Sequence, residues 1–367
     1  MPAPVDLLTL SSTEMGDFLE ALGWPRYRTD QVLRWLYQRG VTVVDSMTDL
    51  SKKDRSRLAE RASISWMKAT EVRAAPDGAQ KFFFSLTDGA SIESVLIPDQ
   101  DRLTLCLSTQ VGCTLDCVFC LTGRMGLLRN LKCQEIVGQV LAVQRYIEKQ
   151  PLTNVVLMGM GEPLANFEAV EESVRRMTNR RWGLGFSPRR ITLSTAGLAS
   201  RLARVADSGI NLAVSLNATS ETQRARLMPA ANQVSSLKAL LDACRKYPLK
   251  SHRRLTFEYV LLKDENDSEQ DALRLASLVR TIRCKINLIP FNEFPGSPLR
   301  RPSDETILRF QSILTGRGLD VFIRKSKGRE VLGACGQLGS VSSGLLQPRR
   351  ERAGPSPLEP ALASSQK

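Results

Sequence analysis

From Thr104 onward, short apolar runs alternate with amphipathic ones, and no other feature restricts the fold of this chain as much. Strand-like runs fall at 104–108, 154–158, 190–194, 211–216, 255–262, 284–289 and 319–324. Helical periodicity fills the gaps at 134–148, 166–177, 198–208, 235–246, 268–282 and 303–315. Repeated β-α units of this length imply a parallel sheet with helices outside it. Seven strands can make a doubly wound sheet or close partly into a barrel, and in either case ligands collect at the C-terminal strand ends.

What precedes this region is different. Residues 1–72 read as a small helical unit. Ser11 and Glu14 form a capping box before a helix with Met15, Phe18, Leu19 and Leu22 on one face, ended by Gly23. Thr29 or Asp30 caps a second helix that stops at Gly40, and a third covers Leu50 to Ala62. Between 73 and 100 the pattern is a short β extension, with strands 81–86 and 92–97 and turn signals at Asp77-Gly78 and Asp88-Gly89. Residues 101–338 are the core, and 339–367 a Pro-, Ser- and Arg-rich tail too polar to order itself.

The chemistry starts in the loop after the first core strand. Cys113, Cys117 and Cys120 are spaced C-x3-C-x2-C, close enough to converge on one metal centre. An electron-carrying four-iron cluster takes four thiolates, so three leave one iron open to bind another molecule. No secretion signal and no apolar run of ~18 residues is present, which predicts a cytoplasmic protein with no membrane partner. In a reducing compartment eight cysteines indicate metal and redox chemistry rather than structural disulfides. Cys133, Cys244 and Cys284 lie in apolar-periodic segments and read as packing residues. The single histidine, His252, excludes zinc-protease and facial-triad motifs. A net charge of +13 points to a polyanion. Six arginines between Arg175 and Arg190, with Trp182 and Phe186 interleaved as stacking surfaces, and the cluster Arg324, Lys325, Lys327 and Arg329 sharpen this towards RNA.

These residues resemble a known family. C-x3-C-x2-C marks the radical S-adenosylmethionine enzymes. The flanks Ser108-Thr109-Gln110-Val111-Gly112-Cys113 and Cys117-Val118-Phe119-Cys120-Leu121-Thr122-Gly123 look like the RNA adenine-C2 methyltransferases among them. Met158-Gly159-Met160-Gly161-Glu162-Pro163-Leu164, Leu193-Ser194-Thr195-Ala196-Gly197, Ala213-Val214-Ser215-Leu216-Asn217-Ala218, Asn287-Leu288-Ile289-Pro290-Phe291-Asn292 and Gly333-Ala334-Cys335-Gly336-Gln337-Leu338 follow in that family's order. The resemblance implies a partial (β/α)6 barrel and a [4Fe-4S] cluster on Cys113, Cys117 and Cys120. It further implies S-adenosylmethionine held by Gly161, Glu162, Ser194, Ser215, Leu216, Asn217 and Asn292.

It also assigns Cys335 as a methyl carrier, Cys106 as its resolving cysteine through a transient disulfide, and Glu93 as proton acceptor. By pattern alone Glu93 is an ordinary solvent-facing charge and Cys106 an ordinary core residue. The implied reaction suits its target. C2 of adenine lies between two nitrogens and is too electron-poor to attack a sulfonium methyl. A methyl placed first on Cys335 and then activated by a 5′-deoxyadenosyl radical avoids that problem. The implied partners are 23S rRNA near the peptidyl transferase centre, the anticodon loop of some tRNAs, and an electron donor such as flavodoxin or ferredoxin. Three alternatives stay open on the sequence: the sister activity at adenine C8, a zinc-stabilised RNA-binding protein using Cys106, Cys113, Cys117 and Cys120, and a plain ferredoxin.

Overall fold

The computed structural model describes residues 4–148 and 150–339. Its centre is one ten-stranded sheet. Seven strands are parallel neighbours, in the order Arg102–Cys106, Asn154–Leu157, Ile191–Thr195, Asn211–Ser215, Leu255–Leu261, Cys284–Pro290 and Val321–Ile323. Six of them lead into outer helices and the seventh ends the series, giving a (β/α)6 unit plus one strand. The sheet has two edges and is therefore open. Alternate residues explain the layering. Phe257, Tyr259, Ile286 and Leu288 point outward to helices such as Glu269–Val279 and Asp304–Thr315, whereas Ser215, Glu258 and Asn287 share the inner face.

The β extension continues this sheet rather than standing apart from it. Ala69–Ala74, Gln80–Ser85 and Ser91–Asp99 pair antiparallel, and Val95 pairs with Cys106 of the first core strand. Both expected turns close as Asx turns, with Asp77 and Asp88 accepting the amides of Ala79 and Ala90 at 3.0 and 3.1 Å. Ala69–Ala74 carries no apolar alternation because it is an exposed edge, so patterning had nothing to register.

The first helix, Ser12–Ala21, has the expected capping box: Glu14 N–H donates to Ser11 Oγ and Ser11 N–H to Glu14. The second begins earlier than Thr29 or Asp30. Pro25 and Arg26 carbonyls already accept the amides of Arg28 and Thr29, Tyr27 is helical, and the helix runs Arg28–Tyr37. The third is Lys52–Ala59, capped by Ser51. Together they bury Leu7, Met15, Leu19, Val32, Leu36 and Leu58 against Val137, Leu141 and Trp182 of the core. Here the arginine-rich run changes meaning. Trp182 is buried packing rather than a stacking surface. Arg176 is buried too, donating to the Leu8 and Leu10 carbonyls and Tyr37 Oη at 2.7, 3.0 and 2.8 Å. Its acidic partner, Glu172, lies three residues before that arginine-rich run begins.

Two helices, Glu221–Leu227 and Pro229–Val234, stand between strand 211–216 and helix 235–246, a stretch to which the sequence pattern assigned no element. The first buries Gln223 and Arg224 in place of apolar residues, which erased the periodic signal. Among the described residues, no helix is long and apolar enough to cross a membrane. The expected tail lies, apart from Gly339, outside the described residues.

Candidate active site

The three-cysteine loop is shaped by its backbone. Gly112 ends the strand Gln110–Gly112 at φ +79°, and a Cβ there would lie 1.9 Å from the Gly126 carbonyl oxygen. That same oxygen accepts the Cys113 amide at 3.0 Å, so close approach of two backbones sets the first cysteine. Cys113 Sγ accepts the Leu115 amide at 3.3 Å, and Cys120 heads the short helix Leu121–Met125. Leu115, Phe119 and Leu121 pack on Leu227, Met228 and Phe291 beneath it.

All three thiols line one cleft at the C-terminal strand ends. Burial pushes each above the ordinary cysteine range, so a metal centre is what would hold them as thiolates. Arg224, fully buried beside them, leaves its Nε without a hydrogen-bond partner among the described residues. Burial lowers this guanidinium's affinity for its proton, and the charge of Cys117 opposes that fall. Buried thiols, a spare buried donor and a nearby positive charge suit a negatively charged cluster. Among the described residues, no three metal-ligating side chains are grouped to hold a single ion.

Gly161, Glu162, Ser194, Ser215 and Asn217 line the same cleft. Gly161 sits at φ +105°, with the Gln110 side chain 2.6 Å from where a Cβ would be, so the turn presents bare backbone. The Glu162 carboxylate is engaged: its oxygens accept the amides of Leu164 and Ala196 at 2.9 and 2.8 Å, tying two strand ends together. Burial raises its proton affinity and those amides oppose the rise. Ser194 and Ser215 hydroxyls stand 3.3 Å apart on adjacent strands. Asn217, at φ +53°, accepts the Val260 amide at 2.8 Å. Leu216 and Asn292 lie behind the lining. Leu216 is fully buried, and Asn292 Nδ2 donates to the Cys335 carbonyl at 3.0 Å.

Cys335 borders two spaces at once. It lines the three-cysteine cleft and also a smaller cavity shared with Cys106, Met158, Ile289 and Arg324. Its segment is joined to the cysteine loop, since the Leu121 amide donates to the Gly336 carbonyl at 2.8 Å. Burial pushes the Cys106 thiol up to about 12, with Cys335 adding to the rise and Arg324 opposing it. Arg324 holds its own proton more firmly because of Cys335 first, then Glu258 and Cys106.

Glu93 is not solvent-facing. It is fully buried, paired with Lys81 at 2.8 Å, and its Oε1 has no hydrogen-bond partner among the described residues. Cys244 and Cys284 are buried, whereas Cys133 is partly buried near Ser173; His252 is exposed beside Arg189. Two residues of the site escaped the sequence reading. Glu258 projects into the cleft with Oε1 accepting from Asn287 and Oε2 without a partner among the described residues, and Arg324 stands 3.9 Å from Oε1. A lone acid inside the apolar run Leu255–Leu261 was the available signal for the first. Arg324 was hidden inside a basic run read as an RNA-contacting cluster.

Comparison with known proteins agrees with this geometry. Residues 5–64 match the ribosomal RNA large subunit methyltransferase N-terminal domain, and residues 107–276 match the radical SAM superfamily. The chain is 49% identical over 339 residues to the dual-specificity RNA methyltransferase RlmN of Geobacter sulfurreducens, covering 92% of this chain and 93% of that one. It is 47% identical to the protein of the same name from Desulfosudis oleivorans, covering 92% and 91%. The crystal structure of a radical SAM methyltransferase from Sphaerobacter thermophilus superposes with a TM-score of 0.86 at 42% identity, over 91% of this chain and 99% of that one. The chain therefore belongs to the RlmN family of radical SAM RNA methyltransferases.

Proposed function

We propose that the enzyme methylates C2 of an adenine in 23S rRNA near the peptidyl transferase centre, and an adenine in the anticodon loop of some tRNAs, through S-methyl-Cys335. The observation that carries this reading is the double position of Cys335, which borders both the three-cysteine cleft and the Cys106 cavity. Cys113, Cys117 and Cys120 would hold a [4Fe-4S] cluster. Gly161 and its turn, Ser194, Ser215 and Asn217 would contact S-adenosylmethionine, while Glu162, Leu216 and Asn292 would support them from behind. When bound, cluster and cofactor supply a methyl cation equivalent and, on reduction by a flavodoxin or ferredoxin, a 5′-deoxyadenosyl radical.

The protein's own groups do the rest. Arg324 stabilises the Cys335 thiolate, which would attack the sulfonium methyl of S-adenosylmethionine, expel S-adenosylhomocysteine and become a thioether. After that methyl carbon has joined the base and the adduct has returned one electron to the iron–sulfur centre, Glu93 would take the ring proton through the oxygen that has no partner among the described residues. The Cys106 thiolate would attack Cys335 Sγ and form a disulfide, while the methylene leaves with the electron pair of the broken carbon–sulfur bond and takes up a proton to become the methyl group. The reaction belongs in the cytoplasm, where its RNA substrates are made.

The test is peptide mass spectrometry after anaerobic incubation of cluster-loaded protein with trideuteromethyl-labelled S-adenosylmethionine and no reductant. Label on Cys335 is expected, because displacement needs no electrons. A Cys335 that stays unlabelled, in protein that transfers the label to RNA once RNA and a reductant are added, would refute the reading.

A further inference from the structure

The segment that carries Cys335 is tied at both ends to one buried ion pair. Lys81 and Glu93 stand on neighbouring antiparallel strands, Gln80–Ser85 and Ser91–Asp99, with Nζ 2.8 Å from Oε2 and side chains only 4% and 1% exposed. Each partner has a second bond. Lys81 Nζ donates to the Leu332 carbonyl at 3.1 Å, and Glu93 Oε2 accepts the Gly339 amide at 3.0 Å. Leu332 and Gly339 bracket Cys335. Leu332 is also in the left-handed region at φ +51°, a strained conformation for a branched residue that persists only when its surroundings enforce it.

A buried ion pair between strands adds little net stability, because desolvation offsets its attraction and apolar residues would fill the space as well. What apolar residues would not supply is the two outward hydrogen bonds to the Cys335 segment. We propose that the Lys81–Glu93 pair is a clasp holding both ends of the Leu332–Gly339 segment, which makes Lys81 a positioning residue for the Cys335 thiol. The inference rests on Cys335 being the methyl carrier. That sulfur must meet a methyl donor in one cavity and Cys106 in another, and a misplacement of about 1 Å costs roughly 100-fold in rate.

The experiment compares wild type, Lys81→Arg and the double variant Lys81→Met/Glu93→Gln, which leaves no buried charge unpaired. Three quantities are read: iron per chain, amide hydrogen exchange across residues 332–339, and the rate of trideuteromethyl labelling of Cys335. Labelling precedes any proton removal from RNA, so it isolates positioning from the acid–base role of Glu93. The clasp predicts full iron in the double variant, exchange at least tenfold faster and labelling at least tenfold slower, with partial rescue of both by Lys81→Arg. An iron-loaded double variant that labels at the wild-type rate would overturn the proposal. So would slow labelling with unchanged exchange, which would mean a chemical rather than a mechanical role. A wild-type protein that never labels Cys335 would remove the carrier reading itself, an outcome distinct from a variant failing beside a competent wild type.

Discussion

Replacing Gly112 by alanine should uncouple cluster binding from folding. Two costs can be separated. An L-residue in the left-handed conformation that Gly112 adopts at φ +79° pays about 1–2 kcal/mol. The new Cβ would lie 1.9 Å from the Gly126 carbonyl oxygen, which is backbone and has no rotamer through which to retreat. Relief requires giving up the 3.0 Å bond between the Cys113 amide and that oxygen, about 1 kcal/mol more. At about 1.4 kcal/mol per factor of ten, the closed loop loses roughly 30- to 150-fold in population before any wider displacement is counted. Gly89→Ala supplies the control. Gly89 has a similar φ of +82°, but nothing lies within 4 Å of the added carbon, so only the conformational cost remains. After anaerobic reconstitution, iron per chain and visible charge-transfer absorbance should fall well below half of wild type for Gly112→Ala and stay unchanged for Gly89→Ala. A Gly112→Ala protein binding four irons per chain would refute the argument that backbone proximity sets Cys113.

Other consequences follow from single contacts. With the Cys106 thiol pushed up to about 12, only about one molecule in 10⁴ carries the thiolate at pH 8, so release of methylated RNA should accelerate about tenfold per pH unit through the mildly alkaline range. The same shift means this thiol's contribution to stability is complete below about pH 8.5 and is lost as pH rises toward 12. A pH-independent single-turnover release would contradict the first statement. Cys106→Ala should leave a protein–RNA adduct that survives denaturing electrophoresis, and Cys335→Ala should form none. Arg176→Met strips the three hydrogen bonds to Leu8, Leu10 and Tyr37 that dock the helical unit, along with the pairing to Glu172, and should cost that unit about 3–5 kcal/mol. All four tryptophans pack in the cluster around the helical unit, so denaturant titration followed by tryptophan fluorescence should shift while cluster absorbance does not.

The seven-strand alternation was legible because each core strand has one face of continuous apolar packing, a signal that survives without any alignment. The cysteine loop was legible because its spacing is local. What escaped has a common physical cause, which is that buried polar residues mimic surface. Arg224 and Gln223 disguised a helix, Arg176 looked like an RNA contact, and Glu93 looked solvated until Lys81 appeared on the next strand. Pairings such as Lys81 with Leu332 join residues 251 positions apart, and no window along the chain reveals them. Glu258 is the instructive case, because an acid centred in the strand Leu255–Leu261 could not face the helices and had to face the cleft.

The central claim is most directly tested by nucleoside mass spectrometry. Unmodified 23S rRNA would be incubated anaerobically with cluster-loaded protein, S-adenosylmethionine and a reductant, then digested and chromatographed against both methyladenosine standards. The account predicts 2-methyladenosine from the wild type and none from Cys335→Ala with its cluster intact. An 8-methyladenosine product, or no methylated adenine from a fully loaded wild type, would contradict it.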